Sequence, residues 1–182
     1  KDEQVTVEEN ETLPYALFIS GYDYLAALES FENGWFQVQD VSSMMVSEWA
    51  DPKAGNYIID VCAAPGGKSL HLADKLAAAE KDYVGEKGHV QARDLTEYKV
   101  NLIEENIMRT EADNITAVCH DATVLDEDSI NKADIVIADL PCSGLGVLGK
   151  KTDLKYKMTE KTQEDLVALQ RDILSKVKNY VK

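Results

Sequence analysis

Tyr57-Ile58-Ile59-Asp60-Val61-Cys62-Ala63-Ala64-Pro65-Gly66-Gly67-Lys68-Ser69-Leu70-His71-Leu72 is the stretch that decides the fold of this chain. It opens as a short apolar strand, Tyr57–Val61, turns at Pro65-Gly66-Gly67, and continues as a helix from Lys68 to about Ala79. Strand, tight turn and helix in that order begin a β-α-β unit. Gly66 and Gly67 carry no Cβ, so backbone amides can approach a ligand closely there. The helix that starts at that point aims its amide end at whatever binds. A plain tight turn would use the same two glycines, so the pair alone leaves both readings open.

Outward from this stretch the alternation continues. His89–Arg93 reads as a second strand, Thr96–Thr110 as a helix with Val100, Ile103 and Ile107 three and four apart, and Ile115–Cys119 as a third strand. Asp134–Leu140 is a fourth and the most apolar, and about Glu160–Val181 is a helix with Leu166, Leu169, Ile173, Leu174 and Val177 on one stripe. Such alternation predicts an α/β fold whose parallel sheet is buried on both faces. Upstream, Tyr15–Ile19 fits a strand, Gly21 a turn, and Asn33-Gly34 a tight turn before Trp35–Val38. A helix opens at Gln39-Asp40, capped by Asp40 or Ser42, with Met44, Met45, Val46 and Trp49 on its apolar side, and ends at Pro52 and Gly55. The first dozen residues are polar and acidic and are expected to be poorly ordered.

A length of 182 residues suits one domain or one part of a larger one, and 45% hydrophobic with 29% charged residues suits a soluble core-forming chain. The net charge of −14 argues against a simple basic nucleic-acid-binding module, but it does not exclude an enzyme that acts on nucleic acid. Residues 1–34 carry one base and eight acids, whereas residues 150–182 carry nine bases and five acids. The basic stretch begins with Lys150, Lys151, Lys155 and Lys157, a local phosphate contact or simply a solvated helix lead-in. Three cysteines without framework spacing point to a reducing cytoplasm. No apolar run reaches the roughly 18 residues of a membrane span. His71, His89 and His120 show no ligand spacing with any cysteine, so no metal is expected.

Ligands of parallel α/β sheets sit at the carboxyl ends of the strands. The dinucleotide fingerprint is absent. The phosphate loop nearly matches at Gly67-Lys68-Ser69, but Cys62 stands where its first glycine must be and Pro65 removes an amide. Asp94 closes the second strand, where a carboxylate is placed for ribose hydroxyls or for capping the helix at Thr96. Asp121 follows the third strand and could equally start the next turn. Asp139 closes the fourth strand and precedes Pro141-Cys142, so a cleft carboxylate is expected there. Cys142 lies in a Pro-Cys-Ser-Gly turn, where a thiol is accessible, while Cys62 and Cys119 read mainly as small buried hydrophobes.

Three strings resemble successive motifs of the Sun/Fmu (NOL/NOP/Sun) ribosomal-RNA small-subunit cytosine-5 methyltransferases. They are Phe36-Gln37-Val38-Gln39-Asp40-Val41-Ser42-Ser43, Asp60 through Lys68, and Asp139-Leu140-Pro141-Cys142-Ser143-Gly144. Asp153, Lys155 and Tyr156 also fit the family pattern, and Thr152 stands where a proline is usual. The resemblance implies a Rossmann-like methyltransferase sheet and S-adenosylmethionine as methyl donor. It implies a cofactor site of Cys62, Ala63, Ala64, Pro65, Gly66, Gly67 and Lys68, with Asp94 at the ribose, Asp121 near the adenine, and Asp139 near both the donor's amino acid and the target base. A thiol is needed because C5 of cytosine is a weak nucleophile until a thiolate adds to C6. In this family the nucleophile is a second cysteine in a Thr-Cys turn on the strand after the last helix, and the thiol matching Cys142 assists product release. The expectations are therefore an acidic lead-in over residues 1–34 from an upstream RNA-binding region, and over 35–182 the first part of a catalytic domain. The sheet is expected to stop after the fourth strand and following helix, leaving that strand an open edge available for pairing. Such a chain binds cofactor but does not methylate RNA unaided. Ribosomal RNA is the expected partner, with transfer RNA, a protein or a small molecule as alternative methyl acceptors.

Overall fold

In the computed structural model, residues 3, 5–144 and 159–182 are described. Two antiparallel strands, β1 (Thr6–Glu9) and β2 (Leu17–Ser20), come first, followed by the short helix α1 (Glu29–Glu32) and by α2 (Val41–Ala50). The alternating part then runs β3 (Tyr57–Asp60), α3 (Gly67–Ala79), β4 (His89–Asp94), α4 (Glu97–Thr110), β5 (Ile115–Cys119), β6 (Ile135–Ile137) and α5 (Glu160–Val177). The four later strands form one parallel sheet in the order β5-β4-β3-β6.

Side chains alternate across a strand, and here both faces are covered. Ile58, Val90, Ala92 and Ile137 join Leu70, Leu72, Ala73, Leu76 and Ile103 on the α3 and α4 face. Ile59 and Val61 join Ile173, Val177 and Tyr180 on the α5 face. Covering both faces explains why β3 reads as an unbroken apolar run. From β3 the chain builds outward to β4 and β5, then crosses back to place β6 on the other side of β3. The crevice outside a sheet at such a reversal is where ligands bind in open α/β folds.

Several expectations are corrected. The first dozen residues are not without structure, because Thr6–Glu9 pairs with Leu17–Ser20, Val7 lying opposite Ile19. All four residues of β1 are exposed, so no burial pattern marks the strand. Trp49 is 79% exposed instead of core-facing, because Val46, Ser47 and Ala50 form the inner side of α2. Leu174 likewise faces outward, while Ile173 and Val177 point into the core. The fourth strand stops at Ile137, so Asp139 follows it by two residues. β6 is the outer strand, but its approach is not bare. Val181 forms a parallel bridge with Ala133, Tyr180 accepts from the Lys132 and Ala133 amides, and the Lys182 amide donates to Ala133.

The segment before α2 is docked on the sheet domain. Gly34 adopts φ +70°, and a Cβ there would lie 1.9 Å from the Arg109 carbonyl oxygen. The Arg109 guanidinium donates to the Phe31 carbonyl at 2.8 Å and stacks on the Phe31 ring. On the other side, the Tyr15 hydroxyl and the Lys75 ammonium both donate to Glu48 Oε1, at 2.6 and 2.7 Å.

Candidate cofactor site

The loop from Asp60 to Lys68 stands at the carboxyl end of β3, between the ends of β4 and β6. Three hydrogen bonds set its shape: the Val61 amide donates to the Ile137 carbonyl at 3.0 Å, the Ala63 amide to Arg93 at 2.8 Å, and the Gly66 amide to Ala63 at 2.7 Å. Gly66 caps α3 at φ +106°, a left-handed conformation that L side chains rarely adopt. A Cβ added at Gly67 would meet no atom within 4 Å, so the start of α3 faces open space. The amides of that first turn have no partner inside the helix, which suits them to a ligand. From below, the Asn106 side-chain amide donates to the Pro65 carbonyl at 3.1 Å.

Asp94 is 3% exposed, and each of its oxygens faces N–H donors. Oδ2 accepts from the Ala64 amide at 3.0 Å, and Oδ1 accepts from the Leu95 amide at 2.8 Å and the Lys99 ammonium at 2.9 Å. Thr96 caps α4 through its own hydroxyl, which accepts from the Lys99 amide, so Asp94 is not spent as the cap. Its carboxylate instead braces the glycine loop. Lys99 was not singled out from the sequence. A lysine one turn into a helix, five residues after a strand-end acid, was the available signal.

Across the crevice, the Lys68 ammonium donates to Asp139 Oδ2 at 2.8 Å, joining residues 71 positions apart. The Asp139 side chain is 59% exposed, so it is a rim carboxylate rather than a buried one. The buried acid is Asp60, which is 1% exposed and accepts from the Ser69 hydroxyl at 2.7 Å. Burial pushes its carboxyl up to about 6, against the opposing pull of Ser69, the Cys62 amide and the Lys68 ammonium. Cys62 is half-buried beside these acids, and burial, then Asp94 and Asp60, raise its thiol to about 11. It is therefore neutral at physiological pH and unsuited to nucleophilic attack.

Asp121 is exposed and starts its own turn, accepting at Oδ1 from the Thr123 amide at 2.9 Å and hydroxyl at 2.7 Å. Those bonds hold its carboxyl below the ordinary range. Cys142 is exposed, in an irregular stretch rather than the expected turn, and the Pro141 carbonyl beside it accepts from the Gln170 side chain of α5 at 2.7 Å. The structure thus brings Cys62–Lys68, Asp94 and Asp139 to one crevice, and no hydrogen bond joins Asp121 to them among the described residues. Lys150, Lys151, Lys155 and Lys157 lie outside the described residues, as do Thr152, Asp153 and Tyr156. Among the described residues no group of His, Cys, Asp and Glu is arranged to hold a metal ion, and no helix is long and apolar enough to cross a membrane.

The chain is similar in sequence and fold to known proteins. The family model described as 16S rRNA methyltransferase RsmB/F matches residues 47–182. A probable ribosomal RNA small subunit methyltransferase B of Bacillus subtilis is 37% identical over 159 residues, which are 87% of this chain and 34% of that protein. The chain thus spans about a third of the length of the curated relatives it matches. Among solved structures, that of PH0851 superposes with a TM-score of 0.87 at 29% identity, covering 99% of this chain and 39% of the other. NSun6 from Pyrococcus horikoshii, solved with SFG, superposes at 0.75 with 32% identity, covering 88% and 39%.

Proposed function

Since this chain belongs to the RsmB/F family of 16S rRNA methyltransferases, we propose that its crevice binds S-adenosylmethionine and serves methyl transfer to C5 of a cytosine in small-subunit ribosomal RNA. The observation that carries the reading is the geometry of the crevice: an open glycine loop at a helix start, braced by a buried carboxylate and flanked by the Lys68–Asp139 pair. These residues suit the donor's parts. The α3 amides and Lys68 face where its carboxylate would lie, Asp139 offers oxygen to its ammonium group, and Asp94 offers oxygen to its ribose hydroxyls. Asp121 would reach the adenine edge. The related NSun6 structure holds SFG, an analogue of this donor.

When bound, the donor supplies an electrophilic methyl group on its sulfonium sulfur. The chain's own residues would orient the donor and the base. Asp139 stands at the rim, where its carboxyl group would steady N3 of a cytosine activated at C6. Cys142, exposed three residues further on, would serve as the assisting thiol in product release. The cytosine must leave its stack to reach this depth. Lys150, Lys151, Lys155 and Lys157 follow in sequence and would contact phosphates. Residues 1–34 act as a lead-in docked on α4, and 35–182 as the first part of the catalytic domain.

Methyl-labelled S-adenosylmethionine supplied to the protein that carries this chain tests the reading. Label should appear as 5-methylcytosine in small-subunit ribosomal RNA. Label confined to transfer RNA, protein or a small molecule would overturn the substrate assignment.

A further inference from the structure

Val90, Ala92 and Asp94 share the face of β4 toward α3 and α4, where Val90 and Ala92 enter the core. Gln91 and Arg93 share the opposite face, toward α5. Arg93 is nonetheless 3% exposed, and a buried guanidinium is costly unless an opposite charge and hydrogen-bond acceptors meet it. Its Nε donates to Gln91 Oε1 at 2.6 Å, its Nη2 donates to the Ser129 hydroxyl at 2.7 Å, and its Nη1 lies 3.0 Å from Asp126 Oδ2. The guanidinium carbon sits 5.5 Å from the centre of the Tyr180 ring, whose hydroxyl accepts from the Asp126 amide at 3.0 Å. Ser129 closes the circuit by donating to Asp126 Oδ2 at 2.6 Å. The main chain of Arg93 accepts from the Ala63 amide in the glycine loop, and that of Asp94 accepts from the His120 amide.

We propose that Arg93 is a positioning residue for the cofactor: its guanidinium ties the strand end that carries Asp94 to the 121–129 segment that carries Asp121. The two carboxylates stand on different elements, and the sheet hydrogen bonds end at His120, one residue before Asp121. The segment after Asp121 leaves the sheet, and Arg93 reaches across to hold it at Asp126 and Ser129. Tyr180 covers the pair, one residue before Val181 bridges Ala133. This inference rests on the reading of Asp94 and Asp121 as cofactor contacts.

The test is calorimetric titration of the 182-residue chain with S-adenosylhomocysteine, alongside three variants. Arg93→Met should weaken binding at least about tenfold and speed amide exchange in residues 121–129 while β3 stays protected. Arg93→Lys, which keeps only the Asp126 ion pair, should fall between that variant and the parent chain. Leu76→Ala, a core cavity remote from the segment, should lower thermal stability and leave affinity unchanged. Parent-like affinity in Arg93→Met, or equal weakening in Arg93→Met and Leu76→Ala, would overturn the positioning role. Absence of binding by the parent chain would instead overturn the cofactor reading beneath it.

Discussion

Asp94→Asn keeps the outline of the side chain and removes one acceptor. Both oxygens of Asp94 face donors: the Ala64 amide at 3.0 Å on one, the Leu95 amide at 2.8 Å and the Lys99 ammonium at 2.9 Å on the other. An asparagine has a single oxygen, so whichever way its amide turns, an NH2 group meets a donor. The cheaper orientation leaves the Ala64 amide unpaired, because the reverse orphans both the Leu95 amide and Lys99. A buried donor without a partner costs about 1–3 kcal/mol. Lys99 is about half exposed and regains water, so its lost ion pair adds under about 1 kcal/mol. A destabilisation of about 2 kcal/mol corresponds to a melting midpoint roughly 4–8 °C lower in a chain of this size. Thermal unfolding followed by circular dichroism reads that shift. The same variant should bind S-adenosylhomocysteine at least about tenfold more weakly, since a charged acceptor contributes about 1.5–3 kcal/mol per hydrogen bond. A midpoint within about 1 °C of the parent chain, well under 1 kcal/mol by the same conversion, together with unchanged affinity would refute the bracing role of Asp94.

Other outcomes follow from the packing and from the shifted groups. Gly34→Ala forces a side chain onto the Arg109 carbonyl at a positive φ, so the lead-in should release from α4 and limited proteolysis should cut near residue 34; resistance equal to the parent chain would contradict the docking. The folded pKa of Asp60, about 6, lies above its unfolded value of about 3.9. Between those values the folded state holds the extra proton, so this group makes stability fall as pH rises through the window. Asp60→Asn should therefore raise the melting midpoint at pH 8 relative to the parent chain, with a smaller difference at pH 4; equal differences would contradict the burial argument. Iodoacetamide near pH 8 should modify Cys142 and spare Cys62, whose thiol is raised to about 11, and mass spectrometry showing Cys62 alkylated first would count against the site geometry.

The sheet was legible because its strands and helices carry their own signals. Ile58 and Ile59 are both buried on opposite faces, which writes a continuous apolar run, and Val100 with Ile103 writes a helical stripe. The glycine turn named the crevice for the same local reason. What stayed hidden depends on contacts between distant residues. Lys68 meets Asp139 only because β6 returns beside β3, and Arg93 meets Asp126, Ser129 and Tyr180 only in the folded chain. β1 left no signal because all its residues are exposed, so no inward face alternates along it. Trp49 misled because its size suggested burial, whereas the inner face of α2 is set by the smaller Val46, Ser47 and Ala50.

The crevice suits S-adenosylmethionine and not a triphosphate, because Cys62 and Pro65 interrupt the phosphate-loop pattern. Calorimetric titration of the chain with S-adenosylmethionine, repeated in excess ATP, tests it most directly. Binding should be saturable and one-to-one, unchanged by ATP and weakened by Asp94→Asn. No binding of S-adenosylmethionine, or its displacement by ATP, would contradict it.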